Sequence, residues 1–121
     1  MPHKILIVED NEKNHILLID VLRHFNYEVI EAADGSEGIR MANENMPDLI
    51  LMDIQMPVMD GLSAVKILKE NPKTKGIKVI ALTSFAMKGD KEKCLSAGFD
   101  AYMPKPIDPV ALPEIIRKFL N

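Results

Sequence analysis

Leu49-Ile50-Leu51-Met52-Asp53 is a run of apolar residues that ends on a carboxylate. Other stretches have the same form. Ile5-Leu6-Ile7-Val8 enters Glu9-Asp10, Val79-Ile80-Ala81-Leu82 enters Thr83, and Asp100-Ala101-Tyr102-Met103 leads through Pro104 to Lys105. Short runs that are apolar at almost every position mark parallel strands covered on both faces. In an open parallel sheet the carboxyl ends of the strands line the ligand crevice. Carboxylates, a hydroxyl and an ammonium gathered there make a site for a phosphoryl group and a metal ion.

The rest of the chain keeps to this rhythm. Apolar runs over residues 4–9, 27–32, 48–53, 77–83 and 100–103 alternate with helical patterns over 12–25, 35–45, 61–71, 86–97 and 108–120. Strand–helix repetition predicts right-handed crossovers, a parallel sheet and the α/β class. Tyr27-Glu28-Val29-Ile30-Glu31 is more polar than the other runs and reads as an edge strand. Leu18, Leu22 and Phe25 make a one-sided stripe, as do Leu62, Val65 and Leu68, and Leu112, Ile115, Ile116 and Phe119. Asn11 suits the N-cap of the first helix, Pro47 precedes the third strand, Pro72 closes the third helix and Pro109 falls near a helix start. No repeat, low-complexity tract or linker interrupts the pattern, so a single domain over residues 1–121 is expected.

Composition narrows the function classes. The apolar fraction is 47% and the charged fraction 27%, ordinary for a globular protein. No apolar run approaches the roughly 20 residues that span a bilayer. Met1-Pro2-His3-Lys4 leads straight into a strand and does not read as a signal peptide, so a cytoplasmic protein without a membrane partner is expected. The lone cysteine, Cys94, excludes an internal disulfide and a cysteine zinc site, and reads as a thiol with no special role. His3, His15 and His24 offer no metal-ligand spacing and read as surface residues.

Net charge is −3 and unevenly spread: residues 1–60 hold 4 Lys/Arg against 12 Asp/Glu, and residues 61–121 hold 11 against 6. Such a chain has no global attraction to nucleic acid. The lysines from Lys66 to Lys93 read as a solvated helical surface.

Glu9, Asp10 and Asp53 fall at the ends of strands that this topology places side by side. Two carboxylates ~4 Å apart repel by about 4 kcal/mol at an effective dielectric of ~20. A crowd of them needs a counter-charge, and all-oxygen ligation suits a hard cation such as Mg²⁺. Lys105 supplies a second positive charge. Glu9 and Asp10 also suit the N-terminus of the first helix, which favours anions.

At this point the chain resembles a known family over nearly its whole length: the receiver domain of bacterial two-component response regulators. The resemblance is carried by Ile7-Val8-Glu9-Asp10-Asn11, by Asp53-Ile54-Gln55-Met56-Pro57-Val58-Met59-Asp60-Gly61, by Ala81-Leu82-Thr83-Ser84 and by Tyr102-Met103-Pro104-Lys105-Pro106. It implies a flavodoxin-like, doubly wound five-stranded parallel sheet of order 2-1-3-4-5 with five helices. It implies a signalling phosphoacceptor rather than a turnover enzyme. Asp53 would take a phosphoryl group from a phosphohistidine on a sensor histidine kinase or histidine phosphotransferase. Glu9, Asp10, Asp53 and the backbone carbonyl of Gln55 would hold Mg²⁺, with Mn²⁺ as the alternative. Thr83 would hydrogen-bond the phosphoryl group, Lys105 would pair with it, and Tyr102 would change rotamer with Thr83. A downstream target protein would read the face of the fourth helix, fifth strand and fifth helix. Gln55 and Phe85 occupy places that, by resemblance, influence dephosphorylation, and the Lys105–Pro106 bond would be cis.

Elementary chemistry agrees with these roles. A carboxylate forms an aspartyl phosphate as a nucleophile, and the protein's task in phosphoryl transfer is alignment and charge neutralisation. Some readings stay open. Tyr102 suits a switch or a plain core position. Ile16, Leu17, Leu18, Ile19, Val21 and Leu22 are more apolar residues than one buried stripe needs, so part of the first helix either docks the phosphodonor or packs between neighbours. Pro57 and Gly61 flank a turn, where Gly61 serves an unusual backbone angle or a close approach. Rival functions are an aspartate-nucleophile phosphatase, which wants an acid where Gln55 stands, and a receiver-like interaction module that is never phosphorylated. A nucleotide-binding loop is absent.

Overall fold

Side chains alternate across the central strands and sort into two cores. In the computed structural model, which describes residues 3–56, 58–83 and 90–120, Leu6, Val8, Ile50, Met52, Val79 and Ala81 face one way. Ile5, Ile7, Leu49, Leu51, Ile80 and Leu82 face the other. The elements follow in the order β1 (Lys4–Val8), α1 (Glu12–His24), β2 (Glu28–Ala32), α2 (Gly35–Asn45), β3 (Leu49–Asp53), α3 (Gly61–Glu70), β4 (Lys78–Thr83), α4 (Asp90–Ala97), β5 (Ala101–Pro104) and α5 (Ala111–Leu120). All strand pairings are parallel, in the order β2-β1-β3-β4-β5. Helices α2, α3 and α4 contribute Ala42, Ala64, Val65, Leu68 and Cys94 to the first core. Helices α1 and α5 contribute Leu18, Leu22, Leu112 and Ile116 to the second. Two covered faces are why β1, β3 and β4 carry apolar residues at successive positions, without a polar alternation.

The sheet order reverses between β1 and β3, since β1 leads outward to β2 and the chain then returns to the other side. That is the topological switch point, where doubly wound sheets open a crevice beyond their carboxyl ends. Local chemistry starts the helices there. Asn11 Oδ1 accepts from the Asn14 N–H at 3.2 Å. Asp34 Oδ1 does the same for Glu37 and Asp60 Oδ1 for Ser63, each at 2.8 Å.

Some expectations need correction. Phe25 does not continue the buried stripe of α1: it is the C-cap and is exposed, because Asn26 turns the chain at φ 65°. Helix α5 begins at Ala111, after a turn in which Asp108 Oδ1 accepts from the Val110 N–H at 2.8 Å. Lys69 is not solvated surface. Its ammonium donates to the carbonyls of Lys75 and Ile77 and to Asp100 Oδ2, the last at 2.9 Å. His15 is half-buried, and its Nε2 has no hydrogen-bond partner among the described residues. Pro57, Ser84, Phe85 and the expected helical stretch over 86–89 lie outside the described residues.

Candidate functional site

Glu9 leaves the end of β1 with its backbone N–H still bonded to the Ala32 carbonyl of β2, at 3.2 Å. This turns its side chain inward, where it is fully buried. Glu9 Oε1 accepts from the Asn11 N–H at 3.1 Å, and Oε2 accepts from Lys105 Nζ at 2.7 Å. Asp53 is the last residue of β3 and only 5% exposed. Its Oδ1 accepts from the Gln55 N–H at 3.2 Å, while Oδ2 lies 3.1 Å from Lys105 Nζ. Asp10, next along from Glu9, is exposed at the mouth. Glu9, Asp10 and Asp53 each place a carboxylate oxygen so that these atoms lie within 4.8 Å of one another.

Lys105 reaches the acids because its backbone is tied to β4: its N–H donates to the Thr83 carbonyl at 2.7 Å. The Lys105–Pro106 peptide bond is cis. Thr83, nearly fully buried, ends β4 opposite Pro104, one residue beyond the Leu82 that pairs with Asp53. Tyr102 pairs with Ala81 in the sheet and packs, half-buried, on the α2–α4 side of it.

Behind Asp53 the chain doubles back without room to spare. A Cβ on Gly61 would collide with the Asp53 carbonyl oxygen and stand 2.8 Å from Ile54 Cα. The Gly61 N–H donates to the Ile54 carbonyl at 2.8 Å. Of the two readings of this glycine, the structure selects close approach. Val58, in the same loop, has φ 69° and is 83% exposed. A β-branched residue at positive φ is a rare and strained choice, and no local sequence signal predicts it.

The electrostatics are unbalanced. Among the described residues one ammonium, that of Lys105, pairs with Glu9 and Asp53 while Asp10 beside them has no ion pair, and unit charges ~4.8 Å apart at a dielectric of ~20 still repel by about 3 kcal/mol. Burial, then the neighbouring Glu9 charge, push the Asp53 carboxyl up to about 6, against a smaller pull from Lys105. Burial acts against the Lys105 ammonium, but its hydrogen bond to Glu9 and the charges of Asp53 and Glu9 win, so its pKa is raised. Among the described residues the donors that converge are hard carboxylate oxygens with surplus negative charge, and this set fits Mg²⁺.

The sequence matches the family model of the response regulator receiver domain over residues 5–117. The chain belongs to the response regulator receiver domain family. It is 45% identical to the polar-differentiation response regulator DivK of Brucella anthropi, over all of this chain and 98% of that protein. The receiver domain of the Pseudomonas aeruginosa sensor histidine kinase PA1611, solved with a magnesium ion coordinated in its active-site cleft, superposes with a TM-score of 0.92. That match is 37% identical and covers 99% of this chain and 98% of the other. The receiver domain of Saccharomyces cerevisiae Ssk1, solved with the histidine phosphotransfer protein Ypd1, superposes at 0.91 with 31% identity. It covers 98% of this chain and 88% of the other. This receiver therefore serves two-component signalling. No helix among the described residues is long and apolar enough to cross a membrane.

Proposed function

We propose that Asp53 is the phosphoacceptor of this receiver, and that the phosphoryl group comes from a phosphohistidine on a histidine kinase or histidine phosphotransfer protein. The observation that carries the reading is the shared pocket of Glu9, Asp10, Asp53 and Lys105. An Asp53 carboxylate oxygen attacks phosphorus, a P–O bond forms, and the P–N bond breaks with its electron pair leaving on the donor imidazole. Near neutral pH Asp53 is mostly ionised and able to attack, since its pKa is about 6. Lys105 pairs with the incoming phosphoryl oxygens and Thr83 donates its hydroxyl to one of them. Glu9, Asp10, Asp53 and the Gln55 carbonyl would hold Mg²⁺, or Mn²⁺ in its stead, and the ion would supply neutralisation of phosphoryl charge. The setting is the cytoplasm.

The donor docks on the exposed apolar residues of α1 beside the acidic mouth, Ile16 at 55% and Leu17 at 36% exposure. The Ypd1–Ssk1 pair is a precedent for a phosphotransfer partner. Output runs through the α4–β5–α5 face, where a groove of about 300 Å³ is lined by Lys91, Leu95, Tyr102, Ile115, Lys118 and Phe119. Phosphorylation shifts Thr83 and Tyr102 together, by no more than the phosphoryl group's differential stabilisation of the two states.

Incubation with acetyl phosphate tests the centre of this reading. Intact mass should rise by one phosphoryl group with Mg²⁺ or Mn²⁺, and not at all with a chelator or in Asp53→Asn. A phosphorylated Asp53→Asn protein would move the acceptor elsewhere.

A further inference from the structure

Lys69 and Lys105 are committed to carboxylates inside the fold. Lys66 and Lys93 are not: neither ammonium has an ion-pair partner among the described residues. Both line one groove of about 330 Å³ between α3 and α4, together with Leu62, Ser63, Ser96 and Ala97. A volume of this size is at the low end of small-molecule sites, roughly 300–1,000 Å³.

The groove's charge sets it apart. Two other grooves among the described residues each include an acid, Asp20 beside α1 and Asp100 beside β5. Among the described residues, the lining of the α3–α4 groove includes Lys66, Lys93, Ser63 and Ser96 and no acid, in a chain whose acids outnumber its bases by 18 to 15. Like charges sharing a concave surface leave a deficit that an anion fills, and hydroxyls beside ammoniums provide donors for several oxygens at once.

We infer that the α3–α4 groove binds a small phosphate-bearing anion, separate from the Asp53 pocket, and that this anion braces α4 against α3. The consequence for α4 follows from its weak anchorage. Of its described side chains Cys94 alone is buried, the others being half-buried or exposed. A ligand held by Ser63 and Lys66 on one helix and Lys93 and Ser96 on the other adds the cross-helix bonds that apolar packing does not supply.

The test is an NMR titration at constant ionic strength with inorganic phosphate, AMP and adenosine as probes. Saturable shifts are expected at the Ser63, Lys66, Lys93 and Ser96 amides with phosphate or AMP and none with adenosine. Saturation by phosphate assigns the free anion, and saturation by AMP alone assigns a phosphomonoester. Lys66→Ala and Lys93→Ala should each weaken binding about fivefold, the scale of one exposed charge pair. Asp53→Asn should bind as the wild type does, which separates this site from the phosphoacceptor reading. Amide exchange in α4 should slow at saturation. Shifts that grow linearly without saturating, shifts centred on Glu9 and Lys105, or an equal loss in the control Lys73→Ala would overturn the proposal, as would α4 exchange unchanged at saturation.

Discussion

The two ends of the sheet treat charge in opposite ways. At the amino ends of β4 and β5, Asp100 lies 2.9 Å from the Lys69 ammonium and 4.0 Å from that of Lys78. It also accepts from the Val79 N–H at 2.8 Å. At the carboxyl ends of β1 and β3, among the described residues, Lys105 is the one ammonium paired to the acids: it bonds Glu9 and Asp53, and Asp10 beside them has no ion pair. One end has more cation than its acid needs, and the other has less. The saturated end pins Lys69, the start of β4 and the residue before β5 together. The unsaturated end retains unbalanced negative charge, which a divalent cation relieves. A structural ion pair and a binding site thus differ less in residue type than in whether the local sum of charge closes.

This contrast is open to direct attack. The largest effect should come from the closed end. Asp100→Ala leaves Lys69 without its half-buried partner and removes the acceptor of the Val79 N–H. It should lower stability by about 2–4 kcal/mol, as urea unfolding measures, while acetyl phosphate still labels Asp53. An unchanged midpoint would mean that the bridge is mere surface decoration.

At the open end the sign reverses. Asp53 has a folded-state pKa of about 6 against an ordinary 3.8. The native state therefore holds its proton more tightly than the unfolded chain between those values. Stability without metal falls as pH rises through that window, and the cost is fully present above it. Asp53→Asn should stabilise the metal-free protein by about 3 kcal/mol at pH 8 and by almost nothing at pH 3.5. A destabilised Asp53→Asn protein at pH 8 would show that the acidic pocket is already neutralised.

A smaller effect concerns Mg²⁺ itself. Because Asp53 must lose its proton to act as a ligand, Mg²⁺ affinity should hold steady above pH ~7 and drop below pH ~6 by up to about tenfold per unit, as calorimetric titration would read. Affinity that is flat from pH 7 to pH 5 would remove Asp53 from the ligand set.

Much of the fold lay open in the chain because its causes are local. Side-chain period decides strand against helix, an asparagine at position 11 caps whatever helix follows it, and β1, β3 and β4 betray two-sided burial by having no polar face. The edge position of β2 was legible in Glu28 and Glu31 for the same reason. Where the reading failed, the cause was a partner distant in sequence or a single backbone angle. Lys69 looked like one more surface lysine because its carboxylate lies at position 100. Phe25 looked like a continuation of the α1 stripe because nothing before Asn26 announces the turn. Val58, strained and exposed beside the site, departs from its own propensity and left no signal.

The candidate site divides along the same line. Acids, a hydroxyl and a lysine at strand ends were determined by the sequence, since a parallel sheet delivers every such residue to one edge. Tertiary structure alone decided the geometry inside that edge. It tied the Lys105 backbone to Thr83 and set the ammonium between Glu9 and Asp53. It buried Asp53 far enough to shift its titration and left Asp10 at the mouth. Propensity and period act over a few residues and can be read in order. Desolvation and charge pairing depend on which atoms meet after the crossovers close, and the order of residues does not specify those distances.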